Sequence, residues 1–333
     1  MKASSNYPIY TAVAVSSDGT KYPLQNATTD LMLDEPEGEL ANKVTLSLRN
    51  AKAGSKYLSS CIALKMRIYV YADDGEKKEE VFRGFIWEIG NDNSTENTLS
   101  IKAYDNLIYL QQSKDCIYFS AGKYTDAIVK AICNRWNIKC SYAYDKIKHP
   151  KLPLNNKHIS DMIIEVLDAV KKQNGTKYII RSVKDVLKVL KSGSNTDVYH
   201  FKKKKGVIST KSTVTLDGLI TKVVIYGNAD DDERRAVAAT VEGSNCSKYG
   251  TLQDVVTMSG NTTLAEAKQE AKEILKEKGT PERTHSLETP DIPWVHKGDL
   301  IKVSAGDLDG NYLVLSVTHD ANNKTMTMEV VKA

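Results

Sequence analysis

Strict alternation of apolar and polar residues recurs at both ends of this 333-residue chain. In Val44–Arg49 and Leu99–Tyr104 every second residue is apolar, which is the pattern of a strand with one buried face. Such strands bury their apolar faces by pairing with further strands around a common core. The alternation therefore predicts a chain dominated by sheets.

About six strands are predicted in residues 1–112, with turn signals such as Asp73–Gly75 between them. The predicted strands are Tyr10–Val15, Thr29–Leu33, Val44–Arg49, Met66–Tyr71, Val81–Ile89 and Leu99–Tyr104. Several short strands separated by turns favour a small barrel or sandwich. We therefore expect residues 1–112 to form one β domain.

Residues 113–211 differ, because two amphipathic helices are predicted there. The first covers Lys123–Trp136, and its apolar face comprises Tyr124, Ile128, Ala131, Ile132 and Trp136. The second begins at the N-cap Ser160 and ends at Asn174–Gly175. A hairpin with a Lys184–Asp185 turn follows, so the segment is interpreted as an α+β insert.

Charge separates this insert from its neighbours, although the whole chain carries only +4. Residues 113–211 have 21 basic and 8 acidic side chains, against 12 and 15 in residues 1–112 and 13 and 19 in residues 212–333. This asymmetry marks a basic middle segment between two mildly acidic ends. The run Lys202–Lys205 is either a solvated loop or edge strand, or a site of non-specific attraction to nucleic acid. No sequence-reading motif accompanies it, so no specific nucleic-acid partner is expected.

Residues 212–333 return to strands, with one long helix inserted at residues 263–278. The capping box Thr263–Glu266 opens this helix and Gly279 closes it. Its apolar stripe predicts packing against strands, and it comprises Leu264, Ala267, Ala271, Ile274 and Leu275. The expected strands are Leu219–Tyr226, Leu300–Val303, Tyr312–Val317 and Thr325–Val331, with turns at Ala305–Gly306, Asp309–Gly310 and Asn322–Asn323. We therefore expect a second β-barrel-like domain and an α+β, mainly β fold.

Catalytic and metal-binding motifs are missing from the sequence. It has no glycine-rich phosphate loop, no His-Glu-x-x-His and no Gly-x-Ser-x-Gly. His149 and His158 flank a loop where metal binding is the alternative to a structural role. The acidic runs Glu35–Glu39 and Asp230–Glu233 are interpreted as solvated turns rather than as glycosidase carboxylates or a cation site. The sequence thus predicts no catalytic residue, no cofactor and no metal site.

The cysteines and the first residues bear on the compartment in which the chain works. Five scattered cysteines are predicted to stay reduced, namely Cys61, Cys116, Cys133, Cys140 and Cys246. Met1–Tyr10 lacks the basic and apolar regions of a signal peptide. No apolar run reaches the roughly 20 residues that cross a bilayer. We expect neither secretion through a signal peptide nor membrane insertion by this chain.

Two segments near the end carry a family resemblance. Pro293–Lys302 reads Pro-Trp-Val-His-Lys-Gly-Asp-Leu-Ile-Lys, and Leu308–His319 supplies a turn, a tyrosine and an alternating strand. Together with Gly84–Trp87, Leu99–Asp105 and Phe119–Ile128, they resemble the contractile-tail hub proteins of bacteriophages, the late control protein D-like family. The resemblance is greatest to the hubs of Gram-positive, defective-prophage-type tails.

This resemblance implies a non-enzymatic, homotrimeric baseplate hub. Residues 1–112 and 212–333 would each form a tube-like β-barrel, with the α+β insert between them. Three subunits would then make a pseudo-sixfold ring between the sixfold tail tube and the threefold spike. The implied partners are the tail tube protein, the central spike protein and baseplate wedge proteins, in a virion or tail particle assembled in the cytoplasm of the bacterial host. The chain shows no needle or lysozyme-like module, so piercing and wall digestion are expected of partner chains.

Three other functions stay open on the sequence alone. The chain is alternatively a spike component of a type VI-like secretion system, although no β-helical spike is seen in the sequence. A tail-associated enzyme such as a peptidoglycan hydrolase would need a catalytic constellation that the motifs do not supply. A nucleic-acid-binding protein acting through Lys202–Lys205 would bind with a steep salt dependence.

Overall fold

The computed structural model describes residues 7–92, 97–142, 145–203, 206–227, 235–258 and 262–333. The described chain is mainly β, as predicted, and it divides into two compact units. The large unit comprises Met1–Thr210 with Ser286–Ala333, and the small unit is Lys211–His285. The chain enters the small unit within one strand and leaves it within another, because both boundaries fall inside strands.

Strands dominate the beginning of the large unit. In chain order the elements are β1 (Ile9–Val15), β2 (Lys21–Pro23), β3 (Thr28–Glu35), β4 (Lys43–Arg49), β5 (Lys52–Ala53), β6 (Lys56–Tyr57), α1 (Leu58–Cys61), β7 (Arg67–Asp73), β8 (Lys78–Asp92), β9 (Thr98–Tyr104) and α2 (Ile108–Gln112). All six strands predicted there are confirmed to within a few residues. In β4 the side chains of Val44, Leu46 and Leu48 are fully buried, as the alternation requires.

The insert mixes helices and short strands. Its elements, and the strand that follows, are β10 (Lys114–Phe119), α3 (Thr125–Arg135), β11 (Lys139–Tyr142), β12 (Leu152–His158), α4 (Ile159–Asn174), β13 (Tyr178–Val183), β14 (Val186–Lys191), β15 (His200–Lys202) and β16 (Ser209–Thr215). The predicted hairpin is confirmed, since Val183 pairs with Val186 and the two turn residues both have positive φ. Gly175 is left-handed and ends α4, also as predicted.

The remaining elements return to strands around one long helix. They are β17 (Lys222–Tyr226), β18 (Val237–Glu242), α5 (Cys246–Tyr249), β19 (Gln253–Thr257), α6 (Leu264–Lys278), β20 (Glu282–Pro290), β21 (Leu300–Ala305), β22 (Leu308–Asp320) and β23 (Thr325–Lys332). The prediction of a turn at Asp309–Gly310 is wrong. These residues lie inside β22, and the reversal occurs just before it, after Ala305.

One thirteen-stranded sheet runs through the large unit, in the order β16-β20-β23-β22-β3-β4-β9-β8-β7-β1-β2, with β21 and β15 attached beside β22. β22 connects strands from the two ends of the chain. Its first half pairs with β21, and its last residues, Val317–Asp320, pair with β3. Strands of the first and last thirds therefore share one sheet. The order is open among the described residues, and the two tube-like barrels and the three-segment domain boundaries stay predictions.

The insert helices pack in an apolar core that also includes Leu40, Ala41 and Leu107 from the first third of the chain. Two details of these helices differ from expectation. The buried face of α3 includes Val129 and Cys133, whereas the predicted members Tyr124 and Ala131 are exposed. The prediction of Ser160 as an N-cap is wrong, because His158 occupies that position. β12 runs directly into α4, and the backbone N–H of the first helical residue bonds to the carbonyl of Ser113 at 3.0 Å. The Ser113 carbonyl, which lies between α2 and β10, thus satisfies one N–H at the start of the helix in place of a capping side chain.

The small unit packs α6 on the sheet β18-β17-β19. Its core comprises Val223, Ile225, Val256, Ala267 and Ala271. The predicted capping box is confirmed, because the Thr263 hydroxyl accepts the Glu266 N–H at 3.2 Å and the Glu266 carboxylate accepts the Thr263 N–H at 2.8 Å. Within the predicted stripe, Leu264 is exposed and the other members pack on the strands.

Candidate functional site

A group of charged side chains joins three distant segments of the large unit. We call it the charged junction, and its members are Glu35, Arg181, His296, Lys297 and Asp299. Glu35 ends β3, Arg181 lies on β13, and the other three lie in the loop between β20 and β21. The junction therefore contains part of the segment that carries the family resemblance.

Glu35 is the centre of the junction. Its side chain is only 2% exposed, and it accepts a hydrogen bond from His296 Nδ1 at 2.7 Å and from the Lys297 backbone N–H at 2.9 Å. Burial acts to raise the pKa of Glu35, but the charge and hydrogen bond of His296 and the charge of Arg181 outweigh it and hold that pKa well below its usual range. The carboxylate is therefore charged and fully engaged.

Lys297 reaches from the same loop to the turn after β3. Its Nζ donates to the carbonyl oxygens of Pro36 at 2.9 Å and Glu39 at 2.7 Å. Burial lowers the pKa of Lys297, an effect that the nearby charges of Glu35 and Asp105 oppose. The ammonium group thus satisfies backbone carbonyls that would otherwise lack a donor in a buried place.

Arg181 ties the insert to this loop. Its Nε donates to the Lys297 carbonyl at 2.9 Å and its Nη2 to Asp299 Oδ1 at 2.6 Å. The other oxygen of Asp299 accepts the His296 backbone N–H at 2.9 Å. Both ionic side chains are mostly buried, at 14% and 11% exposed. The guanidinium therefore holds the loop in one conformation through bonds with fixed direction.

The backbone conformation and the close packing at Gly298 explain why a glycine stands between Lys297 and Asp299. Its φ is +84°, a conformation that L side chains rarely adopt. A Cβ at this position would lie 2.1 Å from Cδ1 of Ile179 on β13. The Lys-Gly-Asp sequence is thus a closely packed contact with the insert.

A second buried ion pair lies near the junction in the sequence. His319 Nδ1 is 2.6 Å from Asp291 Oδ1, its Nε2 is 3.1 Å from the Val295 carbonyl, and Tyr10 donates to the other Asp291 oxygen at 2.6 Å. Both partners of the imidazole are acceptors, so both ring nitrogens carry a proton. Burial acts to lower the pKa of His319, but the charge and hydrogen bond of Asp291 outweigh it and raise that pKa. This pair connects β1 to β22.

A polar cavity of about 330 Å³ borders the junction. Its walls include Glu35, Arg83, Asp105, Arg181, Trp294 and His296. Asp105 is buried, which raises its pKa to about 7 against the hydrogen bonds it accepts from the Asn42 and Leu107 N–H groups. Trp294 donates to Asp74 at 2.8 Å, and Lys77 lies 3.8 Å from the centre of its ring. The charges around the cavity bind other parts of the chain, so this arrangement is suited to holding segments together.

The structure places the residues considered from the sequence as follows. His149 is buried with Nε2 2.9 Å from the Thr125 hydroxyl, and burial lowers its pKa. His158 is the N-cap of α4. Within the residues that the structure describes, no group of three histidine, cysteine or acidic side chains could hold a metal ion. Asp230–Glu233 lies outside the described residues.

The interpretation of Glu35–Glu39 as a solvated turn is wrong for its first residue. Glu37 and Glu39 are exposed, but Glu35 is buried in the junction. The sequence offered no sign of this, because its partners lie more than a hundred residues away. Lys202 ends β15 and is exposed together with Lys203, in agreement with an edge strand, whereas the last two lysines of the run lie outside the described residues.

Among the helices that the structure describes, none combines the length and the apolar character needed to span a bilayer.

The fold is that of phage tail proteins. It superposes on the 43 kDa tail protein of prophage MuSo2 from Shewanella oneidensis with a TM-score of 0.70, covering 98% of both chains at 12% identity. A tail protein from Neisseria meningitidis matches with a TM-score of 0.68 over 96% of both chains, also at 12% identity.

Sequence comparison identifies the family. The model of the YQBQ-like family matches residues 39–331, so this chain belongs to that family. In Bacillus subtilis, the uncharacterized protein YqbQ is 27% identical over 77% of this chain and 79% of its own length. Protein XkdQ of the phage-like element PBSX is 26% identical over the same shares. The predicted resemblance to phage tail baseplate proteins is confirmed.

Proposed function

We propose that this protein is the structural baseplate hub of a contractile tail, in a phage, a prophage or a tail-derived bacteriocin. The observation that carries the proposal is the match of the whole chain to a prophage tail protein, together with the sequence similarity to a protein of the phage-like element PBSX. Three copies would form a ring that adapts the sixfold tail tube to the threefold spike. Each copy would contribute two tube-like barrels to this ring.

The charged junction supports a mechanical role. A hub keeps its shape while the tail contracts, and a buried network that binds three segments opposes their relative movement. The same network contains no arrangement of nucleophile, base and orienting group that would suggest acyl or glycosyl transfer. We therefore propose a non-enzymatic protein that works in the baseplate of the particle after assembly in the host cytoplasm.

The basic insert is proposed as the contact for acidic neighbours such as baseplate wedge proteins. Many of its lysines are exposed, including Lys114, Lys123, Lys130 and Lys139. The tail tube protein and the central spike protein would bind at the two faces of the ring. Specific binding to nucleic acid and insertion into a membrane are not part of the proposal.

The solution mass of the purified chain tests the trimer. Light scattering after size exclusion should give about three times 36.9 kDa, and electron microscopy should then show rings. A monomer that stays monomeric after addition of the tube and spike proteins of the same gene cluster would contradict the hub.

A spike component of a type VI-like secretion system is the second candidate. It is favoured by the match to an Escherichia coli type VI secretion system component, with a TM-score of 0.54, which covers 92% of this chain but 74% of that one. Co-purification with a sheathed phage tail would favour the hub, whereas dependence of secretion on this gene would favour the spike. Release of fragments from purified cell wall would instead indicate a peptidoglycan hydrolase.

A further inference from the structure

Residues 145–149 of the insert lie along the start of α3 and are fixed to it by backbone hydrogen bonds. The Thr125 N–H donates to the Ile147 carbonyl at 3.1 Å, and the His149 N–H donates to the Lys123 carbonyl at 2.9 Å. These bonds hold the segment in one position. They also carry the side chain of His149 into the interior, where this residue is only 2% exposed.

The imidazole of His149 has one hydrogen-bond partner, whereas a charged ring needs two acceptors. Its Nε2 lies 2.9 Å from the Thr125 hydroxyl, which also accepts the Ile147 N–H at 3.1 Å. Its Nδ1 is buried and has no hydrogen-bond partner among the residues that the structure describes. A neutral ring leaves one nitrogen without a partner. A charged ring would in addition bury a positive charge and a second N–H donor, which costs much more.

The charges around His149 do not offset that cost. The charged side chains on the segments that are bonded to it or adjoin it in the chain are Lys123, Asp126, Asp145, Lys146, Lys148 and Lys151, and most of them are positive. The carboxylate of Asp126 accepts a hydrogen bond from Lys146 at 2.9 Å, and the Lys148 ammonium lies 5.5 Å from the centre of the Tyr124 ring. Burial is the cause that shifts the pKa of His149, and it lowers that pKa.

We propose that His149 makes the 145–149 segment sensitive to acid, because protonation of its buried ring releases the segment from the start of α3. The charged imidazole is stable only where an acceptor such as water reaches Nδ1, so uptake of the proton favours the open segment. Loss of the proton closes the segment again. This inference depends on the buried ring and not on the role of the protein in a tail.

The direction of the pH dependence follows from the lowered pKa. The pKa of histidine in an unfolded chain is about 6.5, and that of folded His149 lies below it. The stabilisation of the closed segment is therefore complete above about pH 6.5 and is lost as pH falls toward the folded value. The Asp126 carboxylate does not cause the same change, because the hydrogen bond from Lys146 keeps the pKa of Asp126 below its usual range.

Hydrogen exchange of the full-length protein, measured by mass spectrometry, tests the proposal. Exchange is followed from about pH 8 to about pH 5, and each rate is divided by the intrinsic chemical rate at that pH. We expect the protection of residues 145–149 to be constant above about pH 6.5 and to fall below it by up to about tenfold per pH unit, since one proton is taken up. The helix α4 is the internal reference, and its protection should change less over the same range.

Two variants identify the group that takes up the proton. His149→Gln has no titratable ring, so the protection of residues 145–149 should not fall in acid. His200→Gln is the matched control, because His200 is exposed on β15 and its loss should leave the wild-type profile unchanged. A wild-type profile that stays flat down to about pH 5, or a fall that persists in His149→Gln, would overturn the proposal. A flat wild-type profile is decisive by itself, so the test holds even if His149→Gln does not fold.

Discussion

The two units of this chain are stabilised in different ways. The large unit buries charged groups among its described residues, including Glu35, Asp291, Lys297 and Asp299, whereas the core of the small unit consists of aliphatic side chains under one helix. The segments joined in the large unit are far apart in sequence, and apolar contact alone does not select one register between them. Directional bonds between charged groups do select one register. Elements that follow each other closely in sequence, such as α6 and β17, do not need such bonds.

Replacing Arg181 should cause the largest loss of stability among these predictions. Arg181→Met leaves Asp299 buried without its partner, so we expect a loss of about 3–5 kcal/mol in the free energy of unfolding, measured by urea denaturation. Arg135→Met is the matched control, because the ion pair of Arg135 with Asp115 is exposed and should contribute less than about 1 kcal/mol. Equal losses in the two variants would show that burial of the junction is irrelevant.

Adding one methyl group at Gly298 should be the next most damaging change. Gly298→Ala combines a positive φ with a collision against Ile179, for an expected cost of about 2–4 kcal/mol. Gly218→Ala in the small unit is the control, since Gly218 has φ +74° but open space around its would-be Cβ. Its cost should be about 1 kcal/mol. The comparison fails if thermal or urea denaturation ranks the two variants in the opposite order.

The pH dependence of stability should report the buried pair of His319 and Asp291. The folded-state pKa of His319 is raised above its unfolded value, so its contribution is complete below an unfolded pKa of about 6.5 and is lost as pH rises through the folded value. The difference in unfolding free energy between wild type and His319→Gln should therefore shrink with rising pH, by at most about 1.4 kcal/mol per pH unit. A difference that grows with pH would contradict a charged imidazole.

The smallest expected effect lies in the small unit. Thr263→Ala removes the capping hydroxyl of α6 and should cost about 1 kcal/mol, detected as faster hydrogen exchange in the first turn of that helix. Ser160→Ala in α4 should change exchange less, since Ser160 lies within the helix and caps nothing. If Ser160→Ala frays α4 as strongly, the assignment of its cap to the Ser113 carbonyl is wrong.

Local signals predicted local structure well. Alternation located β4 and β9, the capping box located α6, and Gly175 located the end of α4. Each of these depends on residues within one or two turns of chain. The fold class and the family followed from the same patterns, together with the short motifs that carry the resemblance.

Long-range pairing could not be predicted in the same way. Nothing near Glu35 indicates that its partners are His296 and Lys297, and an acidic run in a loop is usually solvated. The pairing of β22 with β3 could not be predicted either. The alternation of apolar and polar residues in each strand is the same whichever strand it pairs with. The strongest sign of this long-range contact in the sequence was the glycine of the Lys-Gly-Asp motif, because Gly298 packs against Ile179 of the insert.

The late position of β22 in the sequence has a consequence during synthesis. β3 emerges from the ribosome early, but the edge that receives Val317–Asp320 has no partner until β22 is translated. At ordinary rates of elongation this interval is about 15–60 s. An unpaired strand edge readily recruits other chains. A chain that ends before β22 would therefore keep this edge of β3 exposed and would tend to aggregate with other chains.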